Sequence, residues 1–171
     1  GRGVIHRDIC PENFVLGERP TLVDFETATT IPAFTPRAGV PGQLEATLAY
    51  IAPEQTGRMG HLVDRRADLY SLGATFYEML TGAPPFRFAD PLELVHAHVA
   101  RPPHPPALIN PSVPTLLSSI VLKLLSKTPE WRYQTAAALA VNLQEAARQW
   151  RPPGTIRPVG PRRGGLPYGF S

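Results

Sequence analysis

The chain has 171 residues, of which 43% are hydrophobic, enough for one domain with an apolar core. Its formal net charge of +3 comes largely from an arginine-bearing C-terminal stretch, which favours a solvated basic tail over nucleic-acid binding. The single cysteine excludes an internal disulfide and indicates a reducing compartment, so we expect a cytoplasmic protein. We also expect no signal peptide and no membrane segment, because no apolar run reaches spanning length.

The first predicted element is a loop at residues 6–13, which reads His-Arg-Asp-Ile-Cys-Pro-Glu-Asn. It places the carboxylate of Asp8 five residues before the amide of Asn13. Pro11 predicts that this loop is not helical, because proline lacks a backbone N–H and restricts the residue before it.

A β-hairpin is predicted next, since the short apolar runs 14–16 and 21–23 flank a turn. The second run leads directly into Asp24. A loop and a tight hairpin thus bring three oxygen-bearing side chains, those of Asp8, Asn13 and Asp24, to one place. This arrangement suits phosphoryl transfer, in which a carboxylate accepts the proton of the attacking hydroxyl and oxygen ligands hold Mg²⁺ on a nucleotide.

Residues 26–48 have little periodicity and several prolines and glycines, so they predict a loop. Residues 68–80 predict a helix that is buried on several sides, begins with Asp68 as its N-cap and ends at Gly82. One apolar stripe of this helix consists of Leu69, Leu72, Phe76 and Leu80.

Three more helices are predicted in the second half of the chain. Residues 90–99 begin with a capping box and a proline at the first helical position, and the proline-rich run 101–114 is predicted to be extended. The next helix has a wide apolar stripe, formed by Leu116, Leu117, Ile120, Val121, Leu124 and Leu125.

The C-terminal part consists of a loop, a helix and a tail. The loop at 127–133 leads to a last helix, which is capped by Thr135 and extends to Trp150. Residues 151–171 are rich in Pro, Gly and Arg and predict a linker or a disordered tail.

The stretch 6–26 resembles the catalytic loop and metal-binding turn of eukaryotic-type (Hanks-type) serine/threonine protein kinases. The pattern H-R-D-x-x-x-x-N is complete, D-F-G is present as Asp-Phe-Glu at 24–26, and A-P-E is present at 52–54. The resemblance extends to about Trp150. It implies a protein kinase-like α+β fold in which residues 1–150 are the C-terminal lobe only, mostly α-helical with a small β-hairpin at the catalytic site.

The resemblance implies a role for each residue of the site. Asp8 is the catalytic base, and Asn13 and Asp24 bind Mg²⁺ and ATP. Val15 lies under the adenine. Thr47 hydrogen-bonds the catalytic acid and shapes the floor under the acceptor hydroxyl, which favours serine and threonine substrates over tyrosine.

Structural roles are also implied. Asp68 anchors the catalytic loop by accepting backbone N–H bonds, and Arg132 forms a buried ion pair with Glu54. His6 and Arg7 complete the motif of the loop.

Partners follow from the same resemblance. The opening residues do not resemble the glycine-rich loop or lysine of a kinase N-terminal lobe, so we expect that lobe to be absent and the isolated chain to be inactive. Residues 53–59 and 68–82 resemble, more narrowly, the kinase domain that opens very large sensor proteins. ATPase, sensor and histidine-kinase modules of one parent chain are therefore implied partners, beside ATP and a protein substrate.

Two residues depart from the family pattern. Cys10 stands where a lysine usually stabilises the transferring phosphate, and we interpret it as a small loop residue rather than a reactive thiol. Glu26 replaces a glycine whose freedom at positive φ it lacks. Both leave two alternatives open: a pseudokinase that acts as a binding or scaffold domain, or a truncated product without a function of its own.

Overall fold

The structure is a computed structural model, which describes residues 3–31 and 48–149. The predictions for Thr47, for most of the loop at 26–48, for Trp150 and for the tail at 151–171 lie outside the described residues. The described part is mostly helical. Its strands are β1 (Phe14–Val15) and β2 (Thr21–Leu22), and its helices are α1 (Arg65–Thr81), α2 (Pro91–Ala100), α3 (Pro106–Ile109), α4 (Thr115–Leu124) and α5 (Ala136–Gln149).

The predicted hairpin is present. Strands β1 and β2 pair antiparallel, with Phe14 opposite Leu22 and Val15 opposite Thr21. The Val23 N–H donates to the Asn13 carbonyl at 2.9 Å, which extends the pairing to the two ends where the predicted site residues lie. The hairpin therefore brings the chain after β2 back to the loop at 6–13.

Helix α1 begins three residues earlier than the sequence predicted. Its N-cap is Asp64, whose side chain accepts a hydrogen bond from the Arg66 N–H, so the prediction that Asp68 is the N-cap was wrong. Asp68 lies in the first turn and makes contacts elsewhere. Gly82 ends the helix at φ 83°, a left-handed conformation that glycine adopts without strain.

The core surrounds α1. One face of the helix packs with Val121 and Leu125 of the α4 region, and another packs with Ile120 and Leu124 and with α5. The two helices cross so closely at Gly73 that a Cβ there would lie 2.6 Å from the Leu124 Cβ. The predicted burial of α1 on several sides is thus confirmed.

Two segments are more helical than predicted. The loop expected to be non-helical contains a 3₁₀ turn at Pro11–Asn13, and the run expected to be extended contains α3. Both begin with proline at the first or second position, where its missing N–H has no helical partner to lose. Proline therefore starts these short turns instead of preventing them. No helix in the described ranges is long and apolar enough to cross a membrane.

Candidate active site

The loop at 6–13 is fixed to the central helix through its backbone. The carboxylate of Asp68 accepts two hydrogen bonds at 2.8 Å, one from the His6 N–H and one from the Arg7 N–H. Burial raises the pKa of Asp68, while these two backbone donors lower it. The first turn of α1 thus holds the loop in place at the start of the H-R-D motif.

Backbone strain is concentrated at two site residues. Arg7 has φ 70° and Asp24 has φ 61°, and in the described part of the chain these are the non-glycine residues with positive φ. Such conformations cost about 1–3 kcal/mol each and persist only where the surroundings hold them. The hydrogen bonds on either side of Arg7 supply this support.

Asn13 connects the end of the loop to Asp8. Its Nδ2 donates to the Asp8 carbonyl at 2.8 Å, and its own carbonyl pairs with the Val23 N–H at 2.9 Å. Because the nitrogen of the amide is used in this way, Oδ1 is the atom of Asn13 that remains for a cation. The amide is therefore fixed between the catalytic loop and the hairpin.

His6 connects the loop to the turn that carries Asp24. The buried His6 ring donates from Nε2 to the Val23 carbonyl at 3.0 Å, and it packs edge-on against Phe25 with ring centroids 4.6 Å apart. Asp24 follows immediately and is exposed. The structure thus places Asp24 and Asn13 at the paired ends of the hairpin, next to the loop that carries Asp8.

The donor set of this site fits Mg²⁺. An amide oxygen from Asn13 and a carboxylate from Asp24 are hard oxygen ligands, which Mg²⁺ takes together with water and nucleotide phosphates. Within residues 3–31 and 48–149, no group of three His, Cys, Asp or Glu side chains could hold a metal ion. Asn13 and Asp24 are therefore the residues of this site that would hold Mg²⁺.

Apolar side chains are exposed beside this site. Val15, Leu16 and Phe25 are 54%, 82% and 55% exposed. They lie on the hairpin and on the turn after it, so exposed apolar side chains lie near the predicted metal ligands. Val15 is accessible for the contact with adenine that was predicted for it.

Cys10 is a core residue and not a side chain of the site surface. It is 3% exposed and belongs to an apolar cluster with Tyr50 and Val63. Burial, and after it the charge of Asp8, raises the pKa of Cys10 to about 12, so the thiol is neutral at physiological pH. The structure therefore agrees with an unreactive thiol, held in the core below the loop.

Glu26 does not need the backbone freedom of glycine here. The left-handed residue of the turn is Asp24, whereas Glu26 has no positive φ. The Glu26 N–H lies 3.4 Å from Asp24 Oδ1, and its side chain is exposed. The conformational freedom that glutamate lacks is therefore not used at this position, although the charge of Glu26 still lies next to Asp24.

A bidentate ion pair joins the A-P-E segment to the C-terminal part of the fold. The Arg132 guanidinium donates to the two Glu54 oxygens at 2.7 and 2.8 Å, and both side chains are almost fully buried, at 0% and 1% exposure. Arg132 also donates to the carbonyls of Ser126, Arg66 and Lys127. This is the pair that the resemblance implied, and its remaining donors are satisfied.

Gln55 is a site residue that the sequence reasoning missed. Its side chain is 2% exposed, and its Nε2 donates to the Arg7 carbonyl at 2.9 Å. The sequence feature that could have indicated it is its position directly after A-P-E, in the run 53–59 that resembles large sensor proteins. A polar residue in that position does not reveal its contact with a loop 48 residues away.

Comparison with known proteins identifies the family of the chain. The family model of the protein kinase domain matches residues 1–143. The serine/threonine-protein kinase Pkn1 of Myxococcus xanthus is 38% identical over 167 residues, which cover 90% of this chain and 24% of the relative. The serine/threonine-protein kinase PknB of Mycobacterium tuberculosis H37Rv is 40% identical over 147 residues, covering 82% and 22%.

A relative of another architecture is also similar. The hybrid signal transduction histidine kinase G of Dictyostelium discoideum is 50% identical over 99 residues, which cover 58% of this chain and 3% of the relative. The chain thus spans about a quarter or less of the length of these relatives. The family match covers most of the chain, and the chain therefore belongs to the protein kinase domain family, in its eukaryotic-type (Hanks-type) serine/threonine branch.

Proposed function

We propose that the chain is the C-terminal lobe of a protein serine/threonine kinase domain, which transfers the γ-phosphate of ATP to serine or threonine hydroxyls in signal transduction. The observation that carries this proposal is the support of the loop around Asp8: the Arg7 N–H before it donates to Asp68, and its own carbonyl accepts from Asn13, beside the hairpin that leads to Asp24. In this proposal residues 1–150 form the lobe and residues 151–171 form a linker or tail.

The chemistry assigned to these residues is positioning and proton transfer. Asp8 accepts the proton of the acceptor hydroxyl as that oxygen attacks the phosphate, and Thr47 shapes the floor on which the hydroxyl lies. Asn13 Oδ1 and the Asp24 carboxylate would hold Mg²⁺, which when bound neutralises charge on the phosphates. Val15 contacts the adenine from its exposed position on β1.

The neutral thiol of Cys10 sets a limit on the rate. A kinase with lysine in this position has one more cation for the transferring phosphate, and loss of such a charged donor costs about 2–4 kcal/mol of transition-state stabilisation. Buried in the core, Cys10 supplies no charge to the site. We therefore expect a slow kinase, and the same observation favours the second candidate, a pseudokinase that binds or scaffolds.

A longer parent chain completes the proposal. The exposed apolar side chains beside the site form a surface on which a nucleotide-binding lobe would lie. The similarity to a hybrid signal transduction histidine kinase supports a histidine-kinase module in the parent. ATPase and sensor modules of the same parent are proposed from the resemblance of residues 53–59 and 68–82. Because the single cysteine suits a reducing compartment, we place the domain in the cytoplasm.

The test is phosphorylation of a generic serine/threonine substrate by a parent polypeptide that includes an upstream nucleotide-binding lobe. With Mg²⁺ and ATP, we expect transfer by the wild type and none by Asp8→Asn, which removes the base but keeps the shape. ATP binding without phosphate transfer by either the wild type or Asp8→Asn would contradict the kinase proposal and support the pseudokinase. Loss of ATP binding as well would leave a scaffold or a product without a function of its own.

A further inference from the structure

We infer that Gln55 is a positioning residue for Asp8, because its side-chain amide holds the carbonyl of Arg7 and thereby sets the plane of the peptide bond that joins Arg7 to Asp8. This inference rests on the proposed function, in which Asp8 is the catalytic base. Gln55 itself touches neither substrate nor nucleotide in this assignment, and acts only through the loop.

The two hydrogen bonds of Gln55 fix the orientation of its amide. Oε1 accepts from the Ala52 N–H at 3.1 Å, and Nε2 donates to the Arg7 carbonyl at 2.9 Å. A backbone N–H can only donate and a carbonyl can only accept, so the opposite orientation of the amide would lose both bonds. With 2% exposure, water does not replace either partner.

The backbone of Asp8 is therefore held from both sides by side-chain amides. The carbonyl before it, that of Arg7, accepts from Gln55, and its own carbonyl accepts from Asn13 at 2.8 Å. On the other side of Arg7, its N–H donates to Asp68. These three side chains come from three separate segments of the chain and meet on the backbone of two neighbouring residues, Arg7 and Asp8.

The need for this support comes from the strained conformation of Arg7. At φ 70°, an arginine is outside its preferred backbone region, and it relaxes when the bonds that hold it are removed. Without the donor from Gln55, the Arg7 carbonyl loses the side-chain hydrogen bond that fixes its direction. Rotation of that peptide plane moves Asp8, and displacements of about 1 Å reduce catalysis about 100-fold.

Gln55 also links the loop to the buried ion pair. It lies in the 3₁₀ turn Pro53–Thr56, directly after Glu54, which Arg132 fixes to the C-terminal part of the fold. Glu54 thus fixes the turn to the C-terminal part of the fold, and Gln55 holds the catalytic loop through the Arg7 carbonyl. A hydrophobic residue in position 55 would fill the space but could not donate a hydrogen bond to the Arg7 carbonyl.

Two variants of the parent polypeptide separate positioning from simple packing. Gln55→Met keeps a similar volume and removes both hydrogen bonds, and we expect kcat to fall 10- to 100-fold while KM for ATP stays within twofold. Gln55→Glu keeps the acceptor for the Ala52 N–H and replaces the donor. Its carboxylate repels the Arg7 carbonyl, whereas the protonated acid donates to it, so the kcat of this variant relative to wild type should rise at least fivefold from pH 8.0 to pH 6.0.

The wild type and the variants share the other ionisable groups near the turn Pro53–Thr56. His6, Arg7, Asp8 and Asp68 lie on or behind the loop, and the pair of Glu54 and Arg132 lies in the turn. Dividing by the wild-type rate at each pH removes their titration. Gln144→Glu introduces the same change in an exposed position of α5 and should show a flat ratio.

The outcomes are distinct. A flat pH ratio for Gln55→Glu, or a Gln55→Met protein with wild-type kcat, would overturn the positioning role while the kinase stands. If Gln55→Met does not fold, the pH ratio of Gln55→Glu alone decides. A wild type that transfers no more phosphate than Asp8→Asn would overturn both the proposed function and this inference.

Discussion

The catalytic segment, residues 5–29, and the helical core around α1 are held together in different ways. In the catalytic segment, side chains from distant parts of the chain hold single backbone groups, as Asp68 and Gln55 do for Arg7. In the core, helices contact through apolar faces, and α1 meets α4 closely enough that Gly73 has no room for a Cβ. Polar contacts thus fix a strained conformation, whereas apolar packing supplies most of the stability.

This difference predicts which measurements respond to a substitution. Removal of a side chain that hydrogen-bonds the catalytic segment should lower the rate of phosphoryl transfer more than the free energy of unfolding, because few apolar contacts are lost. A change in helix packing should lower the stability and leave the rate of the folded fraction unchanged. The buried ion pair of Glu54 and Arg132 connects the two regions, because Arg132 donates to the Arg66 carbonyl of α1 and Glu54 precedes Gln55, which holds the loop. Its removal should therefore give the largest loss of stability.

Arg132→Met tests the ion pair. It leaves the Glu54 carboxylate buried without a partner, and we expect a loss of about 3–5 kcal/mol in the free energy of unfolding, measured by urea denaturation followed by circular dichroism. Arg148→Met breaks an exposed pair with Glu145 and should have no measurable effect. A double variant, Glu54→Leu with Arg132→Met, should be more stable than Arg132→Met alone; equal or lower stability would mean that the buried charge is not the cause.

Gly73→Ala tests the helix crossing. The new Cβ would lie 2.6 Å from the Leu124 Cβ, so α1 and α4 must separate, at a cost of about 1–3 kcal/mol in unfolding free energy. Alanine has the higher helix propensity by about 1 kcal/mol, and stabilisation by that amount would show that the crossing has space. Met79→Ala, in an exposed position of the same helix, is the control and should change the urea midpoint little.

Two aspartates at the start of α1 offer a direct comparison of the regions. Asp68→Ala removes both backbone anchors of the catalytic loop, and we expect at least a 10-fold loss of kcat in the parent polypeptide. Asp64→Ala removes the N-cap and should cost about 1 kcal/mol in stability with kcat unchanged. An equal loss of kcat in both variants would show that the loop responds to helix stability alone.

The sequence predicted most of the helical region because apolar periodicity is a local signal. The apolar stripes of α1 and α4 and the stop at Gly82 could all be predicted from neighbouring residues. The errors concerned caps and prolines. Asp68 precedes the apolar stripe and has the residue type of an N-cap, but Asp64 caps the helix and the Asp68 carboxylate binds the loop.

The site was predicted less completely, since its supports lie far away in the sequence. The motif identified Asp8, Asn13 and Asp24 as a set, and the hairpin that joins two of them was read from its apolar runs. Gln55 reaches its partner across 48 positions, and no periodicity reports such a contact. The burial of Cys10 was missed for the same reason, because its neighbours Tyr50 and Val63 come from later segments.

Lys127 gives the smallest predicted effect and the clearest pH dependence. Its Nζ lies 4.5 Å from the Phe86 ring centroid and 3.3 Å from the Ala97 carbonyl. Burial, and after it the charge of Arg132, lowers the pKa of Lys127 from 10.5 to about 8. At Lys127 the unfolded chain therefore binds more protons than the folded chain above pH 8, and this residue should raise the free energy of unfolding by about 1–2 kcal/mol between pH 7.5 and 9.5.

Cys10 and two tyrosines oppose this rise, since burial raises the pKa of Cys10, Tyr70 and Tyr77. Ionisation of the thiol in the unfolded chain reduces the net rise from about pH 9, and ionisation of the tyrosines reverses the slope above pH 10. Lys127→Met should abolish the rise, whereas Lys123→Met, at an exposed position, should keep it. If the unfolding free energy of the wild type falls with pH instead, the contacts of the ammonium with Phe86 and Ala97 outweigh its burial. The Lys127 ammonium would then stabilise the packing of α2 on the core through its charge. Polar contacts would in that case support the helical region as well as the catalytic loop.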